Sequence, residues 1–392
     1  MAELDVAAAR ALTPGCEHVA HLNNAGASLA PSPVLEAVVD HLHREAMIGG
    51  YEAAAAAAPR LDAVYASIAR LVGCAPSEVA LVENATRAWD MAFYSFDFQR
   101  GDRILTGRAE YASNALAMLQ VAARTGAVVE VVDDDGYGQL DVEALQAAMD
   151  GDVRVIAVTH VPTNGGLVNP AAAIGAVANE YGVPFLLDAC QSVGQLPVDV
   201  VELGCDVLCA TGRKFLRGPR GTGFLYVRAD LAATLDPPFV DLWSAEWTSE
   251  RTYELHPGAR RFETWEGNVA AKLGLGAAVD HALEWGLEAI ADRVVALAEE
   301  LRGRLAALGH VTVRDRGQRR GGIVTFDVDG VPAADVSATL RTRAINTSVS
   351  PPSQARFDLV HQRVGDLVRA SVHYYNTTDE LDRLVAAVTT MR

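Results

Sequence analysis

Between residues 60 and 230, short β-branched runs alternate with amphipathic helical stretches, and few architectures accept that rhythm. Candidate strands lie at 79–82, 102–106, 128–132, 153–159, 183–187, 207–210 and 223–227. Helical stretches fall at 31–45, 61–72, 87–94, 113–124, 141–149 and 170–181, and the alanine run 53–58 reads as helix stopped by Pro59. Strands and helices of these lengths, taken in turn, predict an α/β fold with a mainly parallel sheet covered on both faces. After residue 255 the pattern changes. Two long helical stretches (266–285 and 287–308) precede strands at 310–314 and 322–329, a helix at 333–343, a Ser- and Pro-containing loop, a strand at 367–372 and a terminal helix at 378–391. A large domain over 16–254 with a seven-stranded sheet is expected, with a smaller α+β domain formed by 1–15 and 255–392.

Ligands of parallel sheets sit beyond the carboxyl ends of the strands. Polar residues gather at those ends here, at 84–86, 110–114, 160–164, 188–191 and 211–214. One of them is a lysine, in a chain whose 33 Lys+Arg include only Lys214 and Lys272. Arginine replaces lysine for most surface purposes but stays protonated and forms no imine. Lys214, inside the glycine-rich Ala-Thr-Gly-Arg-Lys-Phe-Leu-Arg-Gly (210–218), is therefore a candidate Schiff-base residue for pyridoxal 5′-phosphate (PLP). Lys272 reads as a helix-surface residue with a partly covered stem.

The other needs of that cofactor have candidates too. Its pyridine nitrogen needs a carboxylate, and Asp188 at a strand end supplies one; a helix N-cap is the alternative role. Its phosphate needs donors, offered by Thr86 at a helix start and by Thr211 and Arg213 beside the lysine. Tyr111 follows a strand end and suits either stacking on the ring or structural packing. Gln191 and Asn164 suit the ring's phenolic oxygen or a turn cap. Arg369, within an apolar strand, needs an anion, either a substrate carboxylate or an internal partner.

A formal charge of −17 disfavours nucleic acid and anionic membranes as partners. The five cysteines show no metal spacing and read as reduced thiols, so no metal is expected. No charged segment followed by an apolar one opens the chain, and a cytoplasmic location is expected.

Several segments together resemble the class V aminotransferase family of fold-type-I PLP enzymes, which includes cysteine desulfurases, isopenicillin-N epimerase-like proteins and C–S lyases. They are His-Leu-Asn-Asn-Ala-Gly-Ala-Ser (21–28), Thr-His-Val-Pro-Thr-Asn-Gly-Gly (159–166), Leu-Leu-Asp-Ala-Cys-Gln-Ser-Val-Gly (186–194), Thr-Gly-Arg-Lys (211–214), Arg-Arg-Phe-Glu-Thr (260–264) and Arg-Ala-Ser-Val-His-Tyr-Tyr-Asn-Thr (369–377). The resemblance implies Lys214 as Schiff-base residue, Asp188 on the pyridine nitrogen and Arg369, with Asn24, on the amino-acid substrate. It adds Ala85 and Thr264 to the cofactor-binding candidates. It also implies a homodimer in which the loop 264–268 reaches the neighbour's phosphate.

This chain departs from the family pattern in three places. Arg213 stands where a histidine commonly precedes the lysine, and Tyr111 where the stacking residue is often histidine. Desulfurases carry a nucleophilic cysteine in the loop before the substrate-binding arginine, whereas 345–353 has none and no cysteine follows Cys209. The expectation is a C–S β-lyase acting on a cysteine S-conjugate, with Lys214 moving the Cα proton. Aminotransferase and epimerase activities use the same residues and are the alternatives. A non-catalytic PLP-binding regulator would need a basic DNA-binding domain that the acidic balance argues against.

Overall fold

The computed structural model describes residues 4–391. Its core is a seven-stranded sheet in the order Val79–Val82, Gly223–Val227, Val207–Thr211, Phe185–Asp188, Val153–Thr159, Arg103–Thr106, Val128–Val131. Five neighbouring strands pair in parallel, while Gly223–Val227 runs antiparallel to both of its neighbours. Six strands therefore point one way and one the other. The central strands are buried along almost their whole length, which is why they read as unbroken apolar runs such as Val155–Val158.

Most elements fall within one to three residues of their sequence positions. Proline 59 does not simply stop a helix: it sits in the first turn of helix Ala58–Val72, just after helix Gly50–Ala56 ends. A proline lacks an N–H that the first turn would leave unpaired anyway. The sequence pattern missed an antiparallel hairpin, Ala245–Ser249 with Thr252–Leu255, whose side chains are mostly exposed. With no buried face, it carries no clear alternation.

A second, four-stranded antiparallel sheet has the order Val311–Val313, Ile323–Val328, Leu367–Ser371, Ser348–Ser350. The segment after the first helices runs beside it. Ala20–His21 pairs with Ile345–Asn346, and Asn23 bridges to Ser371. Helix Val269–Trp285 packs on Ser32–Ile48 and Ala58–Val72. Its glycines make this close approach possible, since a Cβ on Gly276 would lie 2.7 Å from Val64 Cγ2. Among the described residues no helix is long and apolar enough to cross a membrane.

Candidate active site

The carboxyl ends of the parallel strands open into a cavity. Four of the five neighbouring parallel strands deliver side chains to it, from their last residue or from the segment that follows. Thr159 and Asp188 are the last residues of their strands, Lys214 lies three residues past Thr211, and Tyr111 sits at the start of helix Ala112–Thr125. Two glycines permit this convergence. Gly194 has φ +91°, and a Cβ there would lie 2.4 Å from the backbone of Phe215 and Leu216, so the segment after Asp188 can press against the lysine segment. A Cβ on Gly223 would lie 2.9 Å from the backbone of Asn84, so the start of helix Ala85–Phe93 can reach the cavity.

Lys214 is buried yet faces the cavity, with Nζ 5.9 Å from the centre of the Tyr111 ring. Asp188 is held by Cys190 N–H, which donates to Oδ1 at 2.8 Å, and by Asn114 Nδ2, which donates to Oδ2 at 2.8 Å. Burial pushes its carboxyl up, opposed by the Asn114 hydrogen bond and by the charge of Lys214. At the other end, the cap of helix Ala85–Phe93 is Asn84, whose side chain accepts from Arg87 N at 2.9 Å. That leaves the Thr86 hydroxyl and the N–H groups of Ala85 and Thr86 free for an anion. Arg213 lines the same cavity and donates to Thr211 Oγ1 at 3.1 Å.

Arg369 joins the small sheet to this cavity. NH1 donates to Thr163 O and Oγ1 at 2.9 and 2.7 Å, and NH2 donates to Asn23 Oδ1 at 3.3 Å. Its Nε has no partner, and no carboxylate pairs with it among the described residues. Burial, reinforced by the charge of Arg213, lowers its pKa to about 10. Gln191 donates through Nε2 to Ala25 O and Thr163 Oγ1, both at 3.1 Å, while its buried Oε1 has no partner.

The structure thus gathers Lys214, Asp188, Tyr111, Ala85, Thr86, Arg213 and Gln191 around one space, with Arg369 reaching it through Thr163. It places four other sequence candidates elsewhere. Thr211 donates to Thr222 O and supports Arg213 from behind. Asn164 donates to Asp358 Oδ2 at 2.7 Å. Asn24 is occupied by His21, Ser371, Asn376 and Tyr375, leaving its neighbour Asn23 against Arg369. Thr264 lines a separate recess with Asn268 and Lys272.

Asn114, Thr163 and Cys190, which lie within the polar groups 110–114, 160–164 and 188–191 but carry no individual role in the sequence reading, line the cavity, as does Thr159. Asn114 lies one helical turn after Glu110, and that i, i+4 spacing of polar residues around Tyr111 was the available signal. Burial raises the pKa of the Cys190 thiol, despite the nearby Lys214 charge. Among the described residues no group of three or more His, Cys, Asp or Glu is arranged to hold a metal ion.

Comparison with known proteins agrees on one family. The model of the family described as Aminotransferase class-V matches residues 20–384. A probable cysteine desulfurase of Methanothermobacter thermautotrophicus is 29% identical over 374 residues, covering 94% of this chain and 93% of its own. Probable cysteine desulfurase 2 of Mycobacterium leprae is 32% identical over 418 residues, covering 98% and 96%. The apo structure of cysteine desulfurase from Thermococcus onnurineus NA1 superposes with a TM-score of 0.90 at 26% identity, covering 98% and 97%.

Proposed function

This chain belongs to the aminotransferase class-V family and is a PLP enzyme, and from that premise we propose that it cleaves the Cβ–S bond of a cysteine S-conjugate. The cavity suits the cofactor on its own evidence. It offers one amine, one carboxylate, a helix start with a free hydroxyl, and a buried Gln191 Oε1 without an internal partner. Lys214 would hold the aldehyde carbon, Asp188 the pyridine nitrogen, and Ala85, Thr86 and Arg213 the phosphate end. When bound, PLP withdraws the electron pair left at Cα.

The chain's own residues supply the rest. Arg369, oriented by Thr163 and Asn23, binds the substrate carboxylate as a fork with an unfilled Nε. Lys214 Nζ, which faces the cavity beside the Tyr111 ring, takes the Cα proton. Tyr111 covers the cavity on the side facing that amine. With water, the conjugate yields a free thiol, pyruvate and ammonium.

One observation carries the lyase reading over a desulfurase that stores sulfur on itself: no cysteine follows Cys209. The segment preceding Arg369 therefore offers no thiol to take sulfur from the substrate. It is anchored instead by Asp358, which accepts from Asn164 at 2.7 Å and pairs with Arg316 at 3.2 Å. The thiol that does line the cavity, Cys190, has its pKa raised by burial.

The decisive assay supplies cysteine S-conjugates to the PLP-loaded protein and measures thiol and pyruvate. Equal release of both supports the lyase. Transfer of sulfur from free cysteine to an acceptor, with alanine and no pyruvate, removes the reading.

A homodimer is part of the proposal. Exposed apolar side chains, among them Leu42, Tyr51, Trp243 and Trp265, border a wide groove next to the loop 264–268. Light scattering should give twice the mass of one chain; a monomer at micromolar concentration would refute it.

A further inference from the structure

A second carboxylate lies behind Asp188, and the mechanism above does not use it. Glu110 is almost fully buried, between strand Arg103–Thr106 and helix Ala112–Thr125. Its two oxygens receive five hydrogen bonds. Oε1 accepts from Tyr111 N at 2.7 Å, from Asn114 Nδ2 at 2.8 Å and from the Thr159 hydroxyl. Oε2 accepts from Thr159 N at 3.0 Å and from the Thr106 hydroxyl at 3.1 Å.

The chemistry of these donors is selective. Backbone N–H groups and an amide nitrogen donate and cannot accept, and each Glu110 oxygen faces at least one of them. A glutamine here would turn its NH2 toward one such donor in either orientation. The site is built for a carboxylate.

Asn114 ties this group to the cavity. Its Nδ2 carries two hydrogens, one donated to Glu110 Oε1 and the other to Asp188 Oδ2, both at 2.8 Å. Two buried carboxylates that would repel each other are thereby joined through one amide. Glu110 also fixes the backbone N–H of Tyr111, the residue at the cavity's face.

We propose that Glu110 is a positioning residue: through Asn114 it sets the orientation and charge of Asp188, and through the Tyr111 backbone it sets the ring that covers the cofactor. The pyridine partner and the stacking face are thus governed by one buried group that touches neither cofactor nor substrate. The proposal rests on the roles given above to Asp188 and Tyr111. Electrostatics supports a finely balanced site, because burial and the Asp188 charge raise the Glu110 pKa to about 7 while its donors pull it down.

The test uses the PLP-loaded protein and three readouts: the visible absorbance and circular dichroism of bound PLP, its dissociation constant, and the melting temperature of the apoprotein. Asp188→Asn provides the reference change. Glu110→Gln and Asn114→Ala should each alter the visible dichroism in the same direction and weaken PLP binding by about tenfold, as supporting residues of a cofactor site do. The double variant should be no worse than the more affected single one, because both act through one link.

Wild-type spectra and affinity in folded Asn114→Ala, or effects that simply add, would overturn the relay. Should Glu110→Gln fail to fold, Asn114→Ala still decides. If Asp188→Asn itself leaves the spectrum unchanged, the ring-nitrogen assignment falls and the relay falls with it. A changed Asp188→Asn beside an unchanged Asn114→Ala removes the relay alone.

Discussion

Two buried arginines meet the four-stranded sheet, and their surroundings differ in a way that separates structure from function. Arg302, on helix Leu287–Ala306, pairs with buried Asp315 at 2.6 Å and donates to the carbonyls of Gly321 and Ile323 at 2.9 and 2.7 Å. Every hydrogen it presents toward the interior meets protein. Arg369, on strand Leu367–Ser371, is comparably buried but has no carboxylate, and its Nε has no partner. Burial lowers its pKa to about 10. A buried cation normally demands a counter-charge, so the folded chain carries a cost at Arg369 that an incoming anion relieves. The fold completes the first arginine and leaves the second with an unfilled donor, as the carboxylate-binding role proposed for it requires.

The largest effect should come from the completed site. Arg302→Met leaves Asp315 as an uncompensated buried charge and should destabilise the fold by about 3–5 kcal/mol. Calorimetry should show a clear fall in melting temperature, and an unchanged Tm would erase the contrast.

Arg369→Ala should do the opposite, with the melting temperature held or raised. Loss of a buried, bidentate charge contact costs roughly 2–5 kcal/mol in binding, so kcat/KM should fall by at least about thirtyfold. Steady-state kinetics with a cysteine S-conjugate checks this. A large stability loss in this variant would mean that Arg369 is structural after all.

Ligand protection sharpens the same point. A non-reactive amino-acid analogue at about a hundredfold excess over its Kd should stabilise the wild type by about 2.7 kcal/mol. The Arg369→Ala variant should lose that protection and a folded Arg302 variant should keep it, as read by thermal shift.

Asn23→Ala should be the mildest. It removes one neutral acceptor from Arg369 NH2, worth about 1 kcal/mol, so KM should rise by about fivefold while kcat is nearly kept. An unchanged KM would show that Thr163 alone orients the guanidinium.

How far these features were legible depends on whether they are local. Lys214 and Asp188 could be found from the chain because each stands just where an apolar strand ends, and parallel sheets place their ligands at those ends. Thr86 was legible as a helix-start residue, although only the structure shows that Asn84 takes the capping role and frees it. The link from Asn114 to Asp188 was not legible. The two are 74 residues apart, and an asparagine in a first helical turn has an ordinary local explanation. Asn24, which the resemblance places on the substrate, is locked into the core, while the bridge from its neighbour Asn23 to Ser371 goes with an Asn23 side chain turned toward Arg369. Nothing local distinguishes the two. The exposed hairpin Ala245–Ser249 and Thr252–Leu255 escaped for the converse reason, since a strand pair without a buried face leaves no apolar period to read.

The sequence by itself determined the succession of strands and helices, the single amine at a strand end and the lack of any thiol after Cys209. Those are properties of neighbours along the chain, and backbone propensity and burial period act at that range. Only the tertiary structure decided that Asn114 joins two carboxylates, that Asn164 turns to Asp358 and that Arg369 ends with an unfilled donor. These outcomes depend on which surfaces pack together and how closely. A glycine at 194 or 223 changes that by a few ångströms without altering any local preference around it.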